Sequence, residues 1–584
     1  MAEPVGFYTD TTVCIGCKAC EVACHQWNAL PARNGGEVPL SGLSYDNTVA
    51  LSDVDWRHVK FIEQFSADRT QARWLMMSDV CKHCVNAPCL EVCPTGSIVR
   101  TEFDTVYIQE PVCNGCRDCI TACPFGVIHV SAEKHIAQKC TFCYDRLQNG
   151  LVPACAQACP TRSIQFGPIA ELKQRALDRV GQLYGQGASE AYLYFVRGGR
   201  EDPRRPECVL FADGSSGDLR ASHCGAGPGA QPLGLAGFRE SDRCLSGHRL
   251  RRVRLVRPAE TQGCHDGGQG GLEPMNLELN TSVADPQWHG LIVWYFFLGG
   301  IAAGAYVMAA LADLFGDIDD RPGVRVAYYI AFPLVGVCGL LLTIDLGRPE
   351  RFWHMLIQSN TGWPMFKWWS PMSVGSWGLS AFGLFSFASF VGVLAEDGWL
   401  GLKRFSPLAA RLRTGLTGRL FALGGSLSAF FLGSYTGVLL TASNQPVWAN
   451  TTWIGALFLA SAAWTGIAAM VLLDRSLKLD IKESVIERLE QLDSWAIVLE
   501  LVMLAIMAIS LGRLSRFAFG TWPGLLIPAF VVPVGLIFPL LVKRWADTRS
   551  AVTASVFVLV GGFVLRAAVV GTPLPILSLT TVGR

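Results

Sequence analysis

Charge is scarce in this chain. Asp, Glu, Lys and Arg make up 17% of its 584 residues and cancel to a net +1. No acidic or basic field is left for a polyanion, so no nucleic-acid partner is expected. The opening stretch Met1–Asp10 has neither a basic start nor an apolar core, so neither a signal peptide nor a twin-arginine leader is expected there. Residues 1–195 hold no apolar run long enough to cross a bilayer, which takes roughly 20 residues. Residues 197–274 hold no lysine and no tryptophan. Beyond Cys264 only Cys338 remains of the 21 cysteines.

What the first third does hold is cysteine: 16 of the 21 lie between Cys14 and Cys159. They fall into four runs of four. The first is Cys14-x2-Cys17-x2-Cys20-x3-Cys24, with His25 following. The second is Cys81-x2-Cys84-x4-Cys89-x3-Cys93-Pro94. The third is Cys113-x2-Cys116-x2-Cys119-x3-Cys123-Pro124. The fourth is Cys140-x2-Cys143-x11-Cys155-x3-Cys159-Pro160. Disulfide frameworks do not favour C-x2-C spacing, and metal binding does. In a C-x2-C-x2-C-x3-C-P run, three thiolates grip one iron–sulfur cluster and the fourth reaches to a second. Structural zinc is the alternative, since four cysteines in two close pairs make a zinc site, but it does not explain the x2/x2/x3-C-P pattern. The prolines after Cys93, Cys123 and Cys159 stop each short helix. Short β-like pieces, Thr105–Ile108 and Gly126–Val130, stand between the runs.

Strand, cluster loop and helix, repeated twice over, resemble a duplicated bacterial ferredoxin. Residues 1–196 resemble the four-cluster electron-transfer subunit of the molybdopterin oxidoreductase family, which includes dimethyl sulfoxide reductase, polysulfide reductase and formate dehydrogenase complexes. The resemblance implies four [4Fe–4S] clusters, with run one exchanging its last cysteine with run four, and run two with run three. One ligand set is then Cys14, Cys17, Cys20 and Cys159, and its neighbour Cys140, Cys143, Cys155 and Cys24. A third is Cys81, Cys84, Cys89 and Cys123, and the fourth Cys113, Cys116, Cys119 and Cys93. The insertion from about Ala29 to Met77 departs from a minimal ferredoxin; in the family such insertions cover the clusters and face the catalytic partner. Trp27, Trp56 and Trp74 are candidate contacts to that partner, but packing is the stronger expectation for each, because tryptophan is highly buried on average.

Residues 197–274 carry twelve arginines, many glycines and four stray cysteines, Cys208, Cys224, Cys244 and Cys264. No helical or strand period persists. The basic run Arg249–Arg257 suits a membrane or partner surface, and the composition suits a disordered linker. A third reading is a GC-rich gene translated out of frame between two natural subunits, with Met275 as an independent start. No ligand is assigned to the stray cysteines.

The last domain, residues 275–584, is built from eight apolar stretches: 289–313, 325–345, 372–395, 417–443, 453–473, 494–513, 522–543 and 551–574. Eight such stretches in succession predict an all-α polytopic membrane domain. Lys and Arg concentrate in the loops after the odd-numbered spans, which places those loops in the cytoplasm. The protein is thus expected in the cell (inner, cytoplasmic) membrane, with the cluster domain on the extracytoplasmic face, exported on a partner's signal.

Trp294–Gly304, Asp345-Leu-Gly-Arg-Pro-Glu-Arg351, Ser370-Pro-Met372 and Gly433-Ser-Tyr-Thr-Gly437 resemble the polysulfide reductase (NrfD-type) anchor, an eight-helix quinone-binding subunit without haem. The resemblance implies menaquinone or ubiquinone as the membrane substrate and Tyr435 as a contact to it, with His289 at the outer end of the first span as a second candidate; the alternative for either residue is a membrane-interface anchor. Ionisable groups inside the membrane are costly and mark function; Glu500 and Arg566 are the deepest. Asp345, Arg348, Glu350 and Arg351 cluster at the outer end of the second span, as an ion-pair network or a proton route. His289, Tyr435, Arg348 and Glu500 are therefore the candidate quinone-site residues. Trp363, Trp368, Trp369 and Trp377 read as an aromatic belt, and Gly299, Gly300 and Gly304 as sites of close helix packing.

Taken as a whole, the sequence predicts the electron-transfer and membrane-anchor part of a respiratory oxidoreductase. No molybdopterin domain is recognisable in it, so substrate catalysis is assigned to a separate Mo- or W-bearing subunit. The alternatives are a redox-driven ion translocator, with Glu500, Arg566 and Asp345 carrying ions, and a zinc-stabilised membrane scaffold. Intact mass of the native product tests the junction: one species near the full 63.4 kDa carrying peptides from 197–274 rules out the out-of-frame reading, and two shorter species support it.

Overall fold

The computed structural model describes residues 3–36, 45–65, 72–188, 191–194, 207–211, 284–288, 290–315, 321–398, 407, 415–477, 483–542 and 548–574. It has the expected two parts: an α+β ferredoxin-type domain, then an all-α domain of eight apolar helices. His289 lies outside the described residues, as does most of 197–274.

The N-terminal domain is organised on a four-stranded sheet in the order Ile164–Pro168, Val5–Asp10, Glu207–Phe211, Tyr192–Tyr194. Val5–Asp10 runs antiparallel to Ile164–Pro168, with Phe7 opposite Phe166, and parallel to Glu207–Phe211, with Tyr8 opposite Cys208. The sheet therefore takes in a strand beyond residue 196, inside the segment whose sequence shows no persistent strand period. The helix Ile169–Gly185 covers the sheet with Leu172, Ala176 and Leu183 buried. That spacing keeps one helical face apolar, and this face packs with Tyr8, Ala191 and Leu193.

Two short antiparallel pairs, Ile98–Arg100 with Val106–Ile108 and His129–Val130 with Ala137–Gln138, stand between the cysteine runs. The insertion forms a nine-residue ribbon, Arg57–Phe65 against Ala72–Val80. Of the three tryptophans Trp27, Trp56 and Trp74, only Trp56 packs as expected, 8% exposed, with Nε1 donating to the Asp53 carbonyl. Trp27 and Trp74 are instead 45% and 49% exposed. Each has a local partner that holds it at the surface: Trp27 donates to Asp145 and lies under the Arg146 guanidinium, and Trp74 meets Tyr45 edge to face.

Among the described residues of the C-terminal domain, eight helices are long and apolar enough to cross a membrane: Gly290–Phe315, Arg325–Asp345, Pro371–Glu396, Gly415–Thr441, Ile454–Ser476, Gln491–Leu511, Trp522–Val542 and Ala551–Gly571. Each lies within a few residues of its expected span. The first and fifth are the most enclosed. Leu340, Leu384, Leu416, Leu427 and Ile509 stand well exposed on the outer surface, where hydrocarbon would cover them. The seventh is irregular: Ile527–Ile537 winds as a π-helix around Pro533, since a proline ring cannot fit the α ladder.

Small residues let the central helices touch backbone to backbone. A Cβ at Gly304, on the first helix, would run into the Ala462 carbonyl on the fifth, whereas one at Gly299 would meet nothing nearer than the Cys338 sulfur at 3.6 Å. Without a hydrophobic drive between helices in lipid, this close packing is the main attraction available. Gly304→Ala should therefore destabilise the membrane domain by about 1–3 kcal/mol, the usual cost of overpacking, and Gly299→Ala should be near neutral. Thermal unfolding in detergent reads the contrast.

Candidate functional site: cysteine cradles and a docked membrane seam

Each cysteine run is shaped by left-handed backbone at matching places. In the first, Gly16 and Lys18 have φ of 66° and 59°; in the third, Gly115 and Arg117 have 70° and 67°. The glycine two residues after the first cysteine and the residue after the second thus adopt the same turn in both runs. Such turns aim successive N–H groups into a concavity suited to an anionic guest. Gly115 has a further constraint, because a Cβ there would meet the His135 carbonyl and the Gly347 backbone. The helices Pro88–Val92 and Asp118–Ala122 end at Cys93 and Cys123, whose ψ of 109° and 115° are extended, as the following prolines require.

The thiols have one another as electrostatic neighbours among the described residues. Cys14 has Cys17 and Cys159 as electrostatic neighbours, and Cys24 has Cys140, Cys143 and Cys155. Cys89 has Cys81, Cys84 and Cys123. Cys119 has Cys93, Cys113 and Cys116. Cys81, Cys84, Cys89 and Cys123 line one cavity together with Pro88, Val106 and Ile128. Among the described residues no three or more His, Cys, Asp or Glu side chains converge on a single metal ion, whereas a cluster is larger and takes more widely spaced thiols. Burial pushes the Cys20, Cys123 and Cys143 thiols up to about 11, so forming the thiolates in these cradles depends on a cationic iron guest. The cradles fit iron–sulfur clusters.

The groups also adjoin one another in sequence. Cys20 neighbours Cys155, Cys140 neighbours Cys81, and Cys119 neighbours Cys89. At one end, Cys17 is exposed. At the other, the third run docks on the membrane domain.

That docking uses backbone carbonyls. Gly347 and Arg348 donate their N–H groups to the carbonyls of Gly115 and Asn114, at 3.2 and 3.0 Å. Arg351 Nη1 donates to the carbonyls of Glu110 and Cys113, each at 2.9 Å, and His354 Nδ1 to that of Val112 at 3.0 Å. Ser370 Oγ donates to Val92 and Lys367 Nζ to Cys93. Asn444 gives its backbone N–H to Thr121 and its side-chain amide to Ala122. Asp345 pairs with Arg117 at 3.6 Å.

Of the four candidate quinone residues, Tyr435 and Glu500 are buried in separate surroundings. Tyr435, on the fourth apolar helix, stacks on Phe431 with ring centres 5.4 Å apart. Its phenol fills the space that Gly375 leaves on the third helix. Tyr295, Asp118 and Cys116 are its electrostatic neighbours, and its hydroxyl makes no hydrogen bond among the described residues. Arg348 is placed at the seam, where its Nε donates to the Lys134 carbonyl at 2.9 Å; no hydrogen bond joins it to Tyr435. Glu500 lies with Arg566, which donates to Ser461 and to the carbonyls of Phe296 and Gly562. Both Glu500 oxygens are buried without a hydrogen-bond partner. Asp345, at the seam with Arg117, is not part of that pair.

Asp118 was not singled out from the sequence. It is 5% exposed, its Oδ2 has no partner, and burial pushes its carboxyl up to about 7. Superposing the first and third runs would have marked it, because the matching residue is Ala19.

The fold and site together define a membrane-anchored iron–sulfur electron-transfer protein. The polysulphide reductase, NrfD family model matches residues 278–574, half of the chain, and the protein belongs to that family. Two 4Fe-4S dicluster domain models match residues 13–97 and 72–169. The cluster region is 38% identical over 193 residues to the Escherichia coli formate dehydrogenase-O iron–sulfur subunit, covering 33% of this chain and 62% of that protein. It is 39% identical over 186 residues to the Haemophilus influenzae formate dehydrogenase iron–sulfur subunit, covering 32% and 58%. It is 37% identical over 175 residues to the E. coli probable anaerobic dimethyl sulfoxide reductase chain YnfG, covering 30% and 78%. The chain thus spans about three fifths of the length of the formate dehydrogenase relatives. It joins an NrfD membrane domain to a 4Fe-4S dicluster region similar to the iron–sulfur subunits of formate dehydrogenases.

Proposed function

We propose that this chain carries electrons between a molybdopterin-type catalytic subunit and the membrane quinone pool, through four [4Fe–4S] clusters held by the sixteen cysteines. Bound clusters supply one-electron steps, and a quinone takes two electrons with two protons. The adjacency of the thiol groups supports one order: Cys14/17/20/159, then Cys24/140/143/155, then Cys81/84/89/123, then Cys93/113/116/119. The exposed Cys17 end, where Gly16 lies against Phe61 in the aromatic patch of Tyr45, Phe61 and Trp74, is the side for the catalytic partner. We place this domain on the extracytoplasmic face, as the loop charges imply.

One observation carries the quinone assignment. Tyr435, an otherwise unbonded phenol inside the membrane domain, is an electrostatic neighbour of Cys116 and Asp118, next to the thiol group that docks on the seam. Its hydroxyl is available to donate to a quinone oxygen, and Phe431 and Gly375 hold the ring in place. Tyr435→Phe should lower quinone-dependent turnover at least tenfold while iron stays at about sixteen per chain. Unchanged turnover at full iron content would remove Tyr435 from the site, and zinc in place of iron and sulfide would end the cluster assignment.

A further inference from the structure

Of the cations at the cysteines, Arg57, Lys139 and Lys367 have no carboxylate partner among the described residues. Arg57 is 2% exposed. Its Nη1 donates to Ser78 Oγ at 2.9 Å, and that oxygen lies 3.5 Å from Cys20 Sγ. Its Nε and Nη2 are buried without partners, and the guanidinium faces the Phe7 ring at 5.1 Å. Its electrostatic neighbours are Cys155, Cys20, Cys140 and Cys24, which belong to two adjoining thiol groups. Lys139 is 3% exposed; its Nζ donates to the carbonyls of Cys140, at 3.1 Å, and Val106. It neighbours Cys81, Cys89 and Cys140, again ligands of two adjoining groups. Lys367 reaches across the seam from the membrane domain, with Nζ 3.2 Å from the Cys93 carbonyl. A Cβ at Gly96 would lie 3.1 Å from that ammonium.

Several other cations of this domain are paired with carboxylates. Lys60 and Lys82 both contact Asp79 at 2.8 Å, and Arg179 contacts Asp10 at 2.9 Å. Burying an ion with no counter-ion costs several kcal/mol, and carbonyl or hydroxyl dipoles repay only part of it. Around Arg57 and Lys139 the nearest groups able to carry negative charge are the cysteine sulfurs. The thiolates there supply the counter-charge once they hold iron, because four thiolates leave a [4Fe–4S] assembly net negative in both its oxidised and its one-electron-reduced state. Reduction adds one more negative charge. A fixed cation in a low-dielectric setting favours that state more than the oxidised one.

We propose that Arg57, Lys139 and Lys367 are the counter-cations of the cluster chain, each raising the reduction potential of the clusters whose cysteines it faces. The two buried cations sit between successive clusters and level them for hand-over in either direction. The third belongs to the membrane domain, so the cluster beside the quinone site takes its working potential only when the two domains are docked. This inference rests on the assignment of the cysteines to clusters, and the experiment separates the two.

The test is an EPR-monitored redox titration of the full-length protein in detergent, with iron and acid-labile sulfide measured on every sample. In Lys367→Met, one component should become about tenfold harder to reduce, a fall of about 59 mV for one electron, while the others stay at their wild-type positions. Lys367→Arg, which keeps the charge, should titrate like the wild type. In Lys139→Met two components should fall. Wild-type midpoints in Lys367→Met at full iron content would overturn the proposal, as would an equal fall in Lys367→Arg. Should Lys139→Met fail to load iron, the Lys367 pair still decides. A wild-type protein without iron and sulfide would instead overturn the cluster assignment beneath it.

Discussion

Everything at the join of this protein depends on one kind of interaction: backbone carbonyls of the second and third cysteine runs accepting hydrogen bonds from the membrane domain. Val92, Cys93, Glu110, Val112, Cys113, Asn114, Gly115, Thr121 and Ala122 all offer their carbonyl oxygens to it. A loop wound to aim its N–H groups at a cluster must turn its carbonyls outward, and in water those oxygens would be solvated. Here Arg351, His354, Lys367, Ser370 and Asn444 satisfy them. Bonds from charged donors contribute about 1.5–3 kcal/mol each, so docking stabilises both domains and fixes the spacing between the last thiol group and Tyr435.

The same constraint explains why polar side chains gather at this end of the membrane domain. Asp345, Arg348 and Arg351 would be costly within lipid, but at the seam each faces protein. Asp345 meets Arg117, and the two arginines meet carbonyls. The exposed Trp363, Trp368 and Trp369 lie on the connection that carries Lys367, where an aromatic belt would mark the bilayer boundary. Glu500 and Arg566 are different: they are buried in the helix bundle, and among the described residues no hydrogen bond or ion pair joins either to the cluster domain.

Much of this architecture is legible in the sequence because its determinants are local. A span needs about 20 apolar residues in a row, and a cluster loop needs its cysteines within one turn of each other; both patterns survive reading one residue at a time. The seam was not legible, because a carbonyl has no sequence identity. Arg348 in Asp-Leu-Gly-Arg-Pro looks the same whether it waits for a quinone or for the Lys134 carbonyl, and only the fold distinguishes them. The strand Glu207–Phe211 was hidden for a related reason: it pairs with Val5–Asp10, about two hundred residues away, inside a stretch with no alternation of its own. Asp118 escaped notice because its significance comes from burial beside Tyr435, not from the motif that contains it.

If the cysteine chain and Tyr435 form one conductive path, electrons should cross from clusters to quinone with no catalytic partner present. The direct measurement is a single turnover of the full-length protein in lipid nanodiscs, its clusters reduced, excess reductant removed, and a stoichiometric menaquinone analogue added. The visible absorbance of oxidised clusters should return, with quinol formed at one per two electrons released. Clusters that stay reduced in protein of full iron content would contradict a quinone site in this chain.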